Sequence, residues 1–276
     1  MAGPESAHLR SNALNAAILK ASHHWWMAPA AACIAVSPYM AKTLSQTYGK
    51  HVEVVLAGYD PDEFPSEPVS SSAQRTNFVV SHVGSLYPGD QRPEIFFDGL
   101  DRFLEAHPDA AALLEVRFVG SKCEAQLARM LQDRPCARVC TILPKVESPR
   151  AVEMVRESDI LLAFNCTKFR DGHGAMSHPT KIFEAFGARR PILAMPPDGD
   201  WVDALLARTG GGVTAGDARS VALVLEEWFS AWRSSGKAPY GGKPEVLADF
   251  TVYRQTERLA RALDFACNSS DANRAA

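Results

Sequence analysis

Between residues 78 and 216, six short apolar runs alternate with stretches of helical periodicity, and that alternation limits the fold more than any other feature of the chain. The runs at 78–84 and 113–120 are rich in β-branched residues and each ends in a glycine; those at 139–143, 159–165, 191–195 and 211–216 follow. Between and after them, residues 93–107, 122–132, 148–158, 179–188, 202–208 and 218–232 carry apolar side chains at helical spacing. Strands without a polar face are covered on both sides, and strands separated by helices run parallel. The pattern predicts a doubly wound α/β domain with right-handed crossovers. Ser148 is expected to cap the third of these helices, with Pro149 at its first helical position.

The remainder divides around residues 66–76, a small and polar stretch without periodicity that reads as a linker. Before it, 9–28 is weakly helical, 33–37 reads as a strand, 51–61 as a strand followed by a turn, and 38–49 is a helix with proline at its start and glycine at its end. That is about one βαβ step, too little for a core of its own. The expected organisation is an N-terminal piece over 1–65, the linker 66–76, the α/β domain 77–249, a helix over 250–267 and a frayed polar tail over 268–276.

Composition narrows the function classes. Of 276 residues, 46% are hydrophobic and 22% charged, which suits a globular core. A formal net charge of -3 gives no field that would favour nucleic acid. The six cysteines are scattered, and Cys136 and Cys140 lack the spacing of a paired zinc motif, so reduced thiols of a cytoplasmic protein are expected. The first residues contain no apolar signal region, and 25–36 is too short to span a bilayer; a peripheral contact at the inner membrane stays open.

In parallel sheets, ligands bind beyond the carboxyl ends of the strands, so the strand-to-helix loops carry the candidates. In the first, Gly84 permits close backbone approach, and Arg92 stands just before a helix, where a guanidinium can hold a phosphate through two hydrogen bonds. A surface arginine beside an ordinary loop glycine is the plainer alternative. The second loop has Gly120 before a helix but no GxGxxG fingerprint. The third is the most informative. Gly172 and Gly174 precede Pro179, expected at a first helical position, so that the amides of Thr180 and Lys181 face outward at the positive end of the helix dipole. Lys181 adds a full charge. Glu184, three residues on, shares its face; a carboxylate there suits paired ribose hydroxyls, and a surface salt bridge with Lys181 is the alternative. Two DxD patterns, Asp60 with Asp62 and Asp198 with Asp200, follow strands where aspartate favours turns, so no metal or other cofactor is expected. His23 and His24 read as a helix end.

Four segments in order, at 35–64, 80–100, 158–169 and 178–195, resemble the retaining GT-B glycosyltransferases of the group 1, or GT4-like, family. The resemblance runs from Ala32 to Leu263 and implies a Rossmann-like C-terminal domain that binds a nucleotide-sugar donor. It implies that Gly84, Ser85 and Arg92 face the diphosphate, that Lys181 and Arg92 stabilise the leaving group, and that Glu184 is the family's ribose-binding glutamate. The base would lie against Pro144, Lys145 and Val146. This sequence departs from the family pattern at Met176, where a second acid is usual, at Ser85 and Gln91, where arginine and lysine are common, and at Ala57-Gly58. The family also has a whole N-terminal acceptor domain, of which this chain is expected to hold only the end. The resemblance thus implies transfer of a sugar to a hydroxyl acceptor of unknown identity, with a partner chain or self-association through the exposed N-terminal side. A non-catalytic nucleotide-sugar-binding module and, behind it, a GT-B-type epimerase using His173 and His178 are the competing readings.

Overall fold

The computed structural model describes residues 18, 21, 22, 24–65, 76–87, 89–166 and 179–274, with side chains as far as Asn268. They form two compact units, Met1–Leu56 with Thr256–Ala276, and Ala57–Gln255. Residues 66–75 of the expected linker and the loop glycines Gly172 and Gly174 lie outside the described residues, as do Met176, His173 and His178.

The larger unit contains the predicted parallel sheet. Its strands are β3 (Phe78–Val83), β4 (Leu114–Val119), β5 (Cys140–Leu143), β6 (Ile160–Phe164), β7 (Ile192–Met195) and β8 (Gly212–Thr214). They lie in the order β5-β4-β3-β6-β7-β8, every pair parallel. The chain therefore builds outward from β3 in one direction, returns, and builds outward in the other. The order reverses between β3 and β6, where Val80 stands opposite both Val116 and Ile160. At such a switch point the two adjoining loops leave in opposite directions and open a crevice.

The helices are α2 (Glu94–Ala106), α3 (Glu124–Leu131), α4 (Ser148–Glu157), α5 (Lys181–Ala188), α6 (Trp201–Thr209), α7 (Ala218–Ser235) and the short α8 (Pro244–Leu247). α2 buries Ile95, Phe96, Phe97, Leu100, Phe103 and Leu104, a helical stripe turned onto the sheet. These join Phe78, Phe118 and Phe164 from the strands and Leu225, Trp228 and Phe229 from α7 in one apolar core. Each such side chain, removed fully from water, contributes roughly 1.5–3 kcal/mol. α2 and α7 approach closely because of Gly99, where a Cβ would run into the Val221 side chain. Ordinary capping starts α7: the Asp217 side chain accepts from the Ser220 amide and the Ser220 hydroxyl accepts from that of Asp217.

Three helix starts differ from the sequence reading. α4 is capped by Glu147 with no side-chain bond, so Ser148 and Pro149 are its first two helical residues. α5 begins at Lys181 with Thr180 as its cap, which leaves Pro179 outside the helix. α3 begins two residues later than its periodicity indicates, at Glu124. Glu147, before α4, is extended and Cys123, before α3, lies outside the helical region, whereas Thr180 already has helical angles without belonging to α5.

In the smaller unit β1 (Cys33–Ala35) pairs in parallel with β2 (Val52–Val54), joined by α1 (Pro38–Tyr48). Ser37 caps α1 by accepting from the Met40 amide at 3.1 Å, and Gly49 ends it at φ 64. This is the single βαβ step expected. The last helix, α9, runs over Val252–Arg274. It passes through the stretch expected to fray, because no glycine or proline follows Thr251 to stop it.

Candidate functional site

Gly84 ends β3 with φ 116, a backbone region that other residues rarely adopt. Its amide donates to the Val119 carbonyl at 2.7 Å, and the Leu86 amide donates to Ser121 at 3.0 Å, so the start of the loop is tied across to β4. A Cβ at Gly84 would occupy the space taken by the Lys181 Cε and Nζ. The ammonium of Lys181 thus lies directly over the Gly84 backbone, although 97 residues separate the two in sequence. β3 and the α5 start bring them together beside the switch point. Among the described residues the Lys181 ammonium makes neither an ion pair nor a hydrogen bond.

Glu184 follows one turn along α5, largely withdrawn from water. Burial pushes its carboxyl pKa up; the Lys181 charge pulls it down and Glu63 adds to the rise. No salt bridge joins it to Lys181, so the surface-pair alternative is not what the fold builds. Lys181 and Glu184 instead flank a void of about 10 Å³ that Val83, Leu161 and Ile182 also line. That is room for no more than one water, so any ligand would sit outside it, over the strand ends.

At the entrance to α5 the Ile182 amide donates to the Pro179 carbonyl at 3.2 Å and that of Phe183 to Thr180 at 3.0 Å. The amides of Thr180 and Lys181 make no hydrogen bond among the described residues. The two donors expected at this helix end are therefore those named from sequence, with the cap two residues further on than expected. Thr180 is exposed.

The other candidates spread along the same edge of the sheet. Gly120 follows β4, its amide donating to Leu143 at 3.0 Å, and a Cβ on it would stand 3.4 Å from the Lys145 Cα. Gly120 and the loop of Pro144, Lys145 and Val146 therefore lie side by side. Pro144 and Lys145 are exposed and Val146 half-buried. Arg92 is exposed just before α2, its carbonyl accepting from the Ile95 amide at 3.3 Å. Ser85 is half-buried next to Gly84.

Sequence reasoning did not single out the groups that hold this edge in shape. His82 is 2% exposed within β3, with Nδ1 3.1 Å from the Leu162 carbonyl and Nε2 3.4 Å from that of Ser85. Its ring packs on Phe164, the centroids 5.1 Å apart. Burial, helped by the Lys181 charge, pushes its pKa down to about 4. Gln91, read from sequence only as a departure, accepts from the Tyr87 amide at 2.8 Å and donates to the Phe164 carbonyl at 2.7 Å. It ties the loop after β3 to the end of β6 across the switch point. The Asn165 amide group likewise donates to the Pro196 carbonyl at 2.8 Å. The available signal was polarity out of place: a serine and a histidine inside the apolar run 78–84, whose alternative to function is a satisfied buried network.

Both DxD patterns are turn structures. Asp60 accepts from the Asp62 amide at 2.9 Å, and Asp198 accepts from the amides of Asp200, Val202 and Asp203 at the head of α6. A roomier cavity, about 300 Å³, is lined by Tyr59, Phe64, Arg189 and Tyr240 at the other end of α5, and none of the predicted site residues lines it.

No protein-family model matches the sequence, and no curated protein matches it. Solved structures do match in fold. HepE of Anabaena, crystallised with UDP and glucose, is 15% identical, with a TM-score of 0.61 over 84% of this chain and 62% of its own. A glycosyltransferase from Rickettsia africae is 13% identical, with a TM-score of 0.57 over 90% of this chain and 64% of its own. The pneumococcal O-GlcNAc transferase GtfA, crystallised with UDP and GlcNAc, is 12% identical, with a TM-score of 0.56 over 86% and 45%. The chain thus has the Rossmann-like architecture of GT-B glycosyltransferases, and it spans between 45% and 64% of these three structures.

Proposed function

We propose that this chain binds a nucleoside-diphosphate sugar over the carboxyl ends of β3, β4 and β6, and supplies the donor side of a glycosyl transfer to a hydroxyl acceptor. The observation that carries the reading is the Lys181 ammonium lying on the Gly84 backbone at the switch point of a parallel sheet. A cation with no partner among the described residues, beside helix-end amides and a loop that presents bare backbone, is built to receive a polyanion. The UDP in the HepE and GtfA crystals supports the same ligand class.

In this reading the diphosphate lies between Lys181, the Thr180 and Lys181 amides and the loop of Gly84 and Ser85, with Arg92 at its outer side. Glu184 accepts the ribose hydroxyls. The base rests along Gly120 and residues 144–146. As the glycosidic bond to the diphosphate breaks, the sugar acquires oxocarbenium character and negative charge grows on the departing phosphate. Lys181 and Arg92 stabilise that charge, the kind of electrostatic stabilisation that supplies a large part of many rate accelerations. The group 1, GT4-like assignment belongs to this proposal, as does the expectation that the acceptor is held mainly outside the α/β unit.

Calorimetric titration of folded protein with UDP-, GDP- and ADP-sugars tests it. Saturable binding of at least one is expected, and flat titrations against all three classes would overturn the reading.

A further inference from the structure

A neutral imidazole offers one N–H and one lone pair, so it can donate to one carbonyl only. His82 has carbonyl oxygens at both ring nitrogens, Leu162 at 3.1 Å and Ser85 at 3.4 Å, and the Gly84 carbonyl faces it as well. One ring nitrogen of the neutral side chain therefore meets an acceptor with a lone pair. The imidazolium form would donate to both sides. The surroundings are arranged for a cation, yet two things oppose it: complete burial, and the Lys181 ammonium held over the neighbouring Gly84. The second opposition is removable, because a diphosphate at Lys181 would cancel its charge and add negative potential beside the ring.

Resting on the donor reading, we infer that His82 takes up a proton when the donor diphosphate binds, so that donor affinity is coupled to pH through a positioning residue buried beneath the Gly84–Ser85 loop. The coupling has a structural consequence. Once protonated, the ring clamps the Ser85 carbonyl and the Leu162 carbonyl together, and with them the loop after β3 and strand β6. Donor binding then tightens the switch point that Gln91 already bridges.

The other charged groups on elements packed about β3 do not supply the effect. Arg117 of β4 is paired with Glu115 and Glu157, and the Asp159 carboxylate accepts from the Val79 amide near the opposite end of the strand. Lys181 is the charge that reaches the ring, and it lowers the ring pKa, after burial, toward about 4. Glu184, one turn further on α5, titrates in the opposite sense: protonating it would weaken its hold on the ribose.

Calorimetry with UDP-glucose separates these effects, since the diphosphate diester of this probe does not titrate near neutrality. Binding measured at pH 5.5 in two buffers of different ionisation enthalpy gives the protons taken up per donor bound. Roughly one is expected, with affinity about tenfold tighter at pH 5 than at pH 7.5, the order of magnitude of one screened charge interaction. In His82→Gln and His82→Asn the uptake disappears, and affinity only weakens as pH falls. Donor binding by wild type without proton uptake between pH 5 and 7 overturns the coupling and leaves the donor reading standing. Undiminished uptake in the variants assigns it elsewhere and also overturns the coupling. No binding at any pH overturns both. Should neither variant fold, the wild-type proton count decides alone.

Discussion

Two residues far apart in sequence, Lys181 and Gly84, meet at the site, and their contact explains why each is what it is. The positive φ at Gly84 disfavours any side chain, and a Cβ there would have to push the Lys181 amine aside. Gly84→Ala is expected to cost about 1–3 kcal/mol in backbone strain and to displace the amine, lowering both melting temperature and UDP affinity. Thermal melts and titrations on one preparation check this; normal values for both would mean that the loop tolerates a Cβ. Glu184 behaves differently. Its carboxylate is largely buried without a hydrogen bond among the described residues, so removing it relieves a cost in the free protein. Glu184→Ala is expected to weaken UDP binding by about 1.5–3 kcal/mol while melting temperature holds or rises. A variant that unfolds but keeps its affinity would make Glu184 a structural residue. His82 adds a third outcome. Its folded pKa, about 4, lies below the 6.5 of an unfolded histidine, so the unfolded chain binds more protons between those values. The stability that its neutral burial allows is full above about pH 6.5 and drains away toward pH 4, on the order of 3 kcal/mol at most. Denaturant melts of wild type and His82→Gln across that window should converge at low pH; parallel curves would place the acid sensitivity in other groups. Lys181 and Glu184 could be named as candidates because i,i+3 spacing at a helix start places them on one face, while the choice of a ribose role for Glu184 over a salt bridge came only from the resemblance. His82 was not, because a buried histidine is defined by what surrounds it, here the carbonyl of Leu162 from β6 and that of Ser85 in the following loop.

At the scale of elements, the six strands were readable because strands buried on both faces leave uninterrupted apolar runs. The order in which they lie follows from right-handed crossovers only once the reversal between β3 and β6 is known. Helix starts were less readable, as Ser148 and Pro179 illustrate. A proline or serine favours the first turn, but the backbone of the previous residues decides where the turn closes. Gly99 is a case that periodicity hides entirely. It falls on the buried face of α2 as a residue with no apolar surface to contribute, and its purpose becomes visible only with Val221 of α7 against it. Gly99→Val should pry the two helices apart at a cost of about 1–3 kcal/mol. Because this contact is on the core side and not at the strand ends, UDP affinity of the folded fraction should change little. A melting temperature equal to wild type would show that α2 and α7 can repack around the extra methyl groups.

For the molecule as a whole, the positive charge at the proposed donor site comes from side chains and amides. Donor binding is therefore expected to persist in EDTA, and a strict requirement for Mg²⁺ or Mn²⁺ that disappears on changing Asp60 or Asp198 would bring the DxD patterns back into the site. The smaller unit offers a two-stranded sheet and one connecting helix, and the chain spans less than two thirds of the three structures compared with it. On the proposed reading, transfer belongs with whatever holds the acceptor, and donor binding with the α/β unit. That division makes one measurement decisive: a crystal structure of this chain with UDP. The diphosphate is expected within hydrogen-bond distance of the Lys181 ammonium and the Gly84–Ser85 loop, with the ribose hydroxyls on Glu184. UDP bound instead in the cavity of Tyr59, Arg189 and Tyr240, or at any place from which Lys181 cannot reach a phosphate, would contradict it.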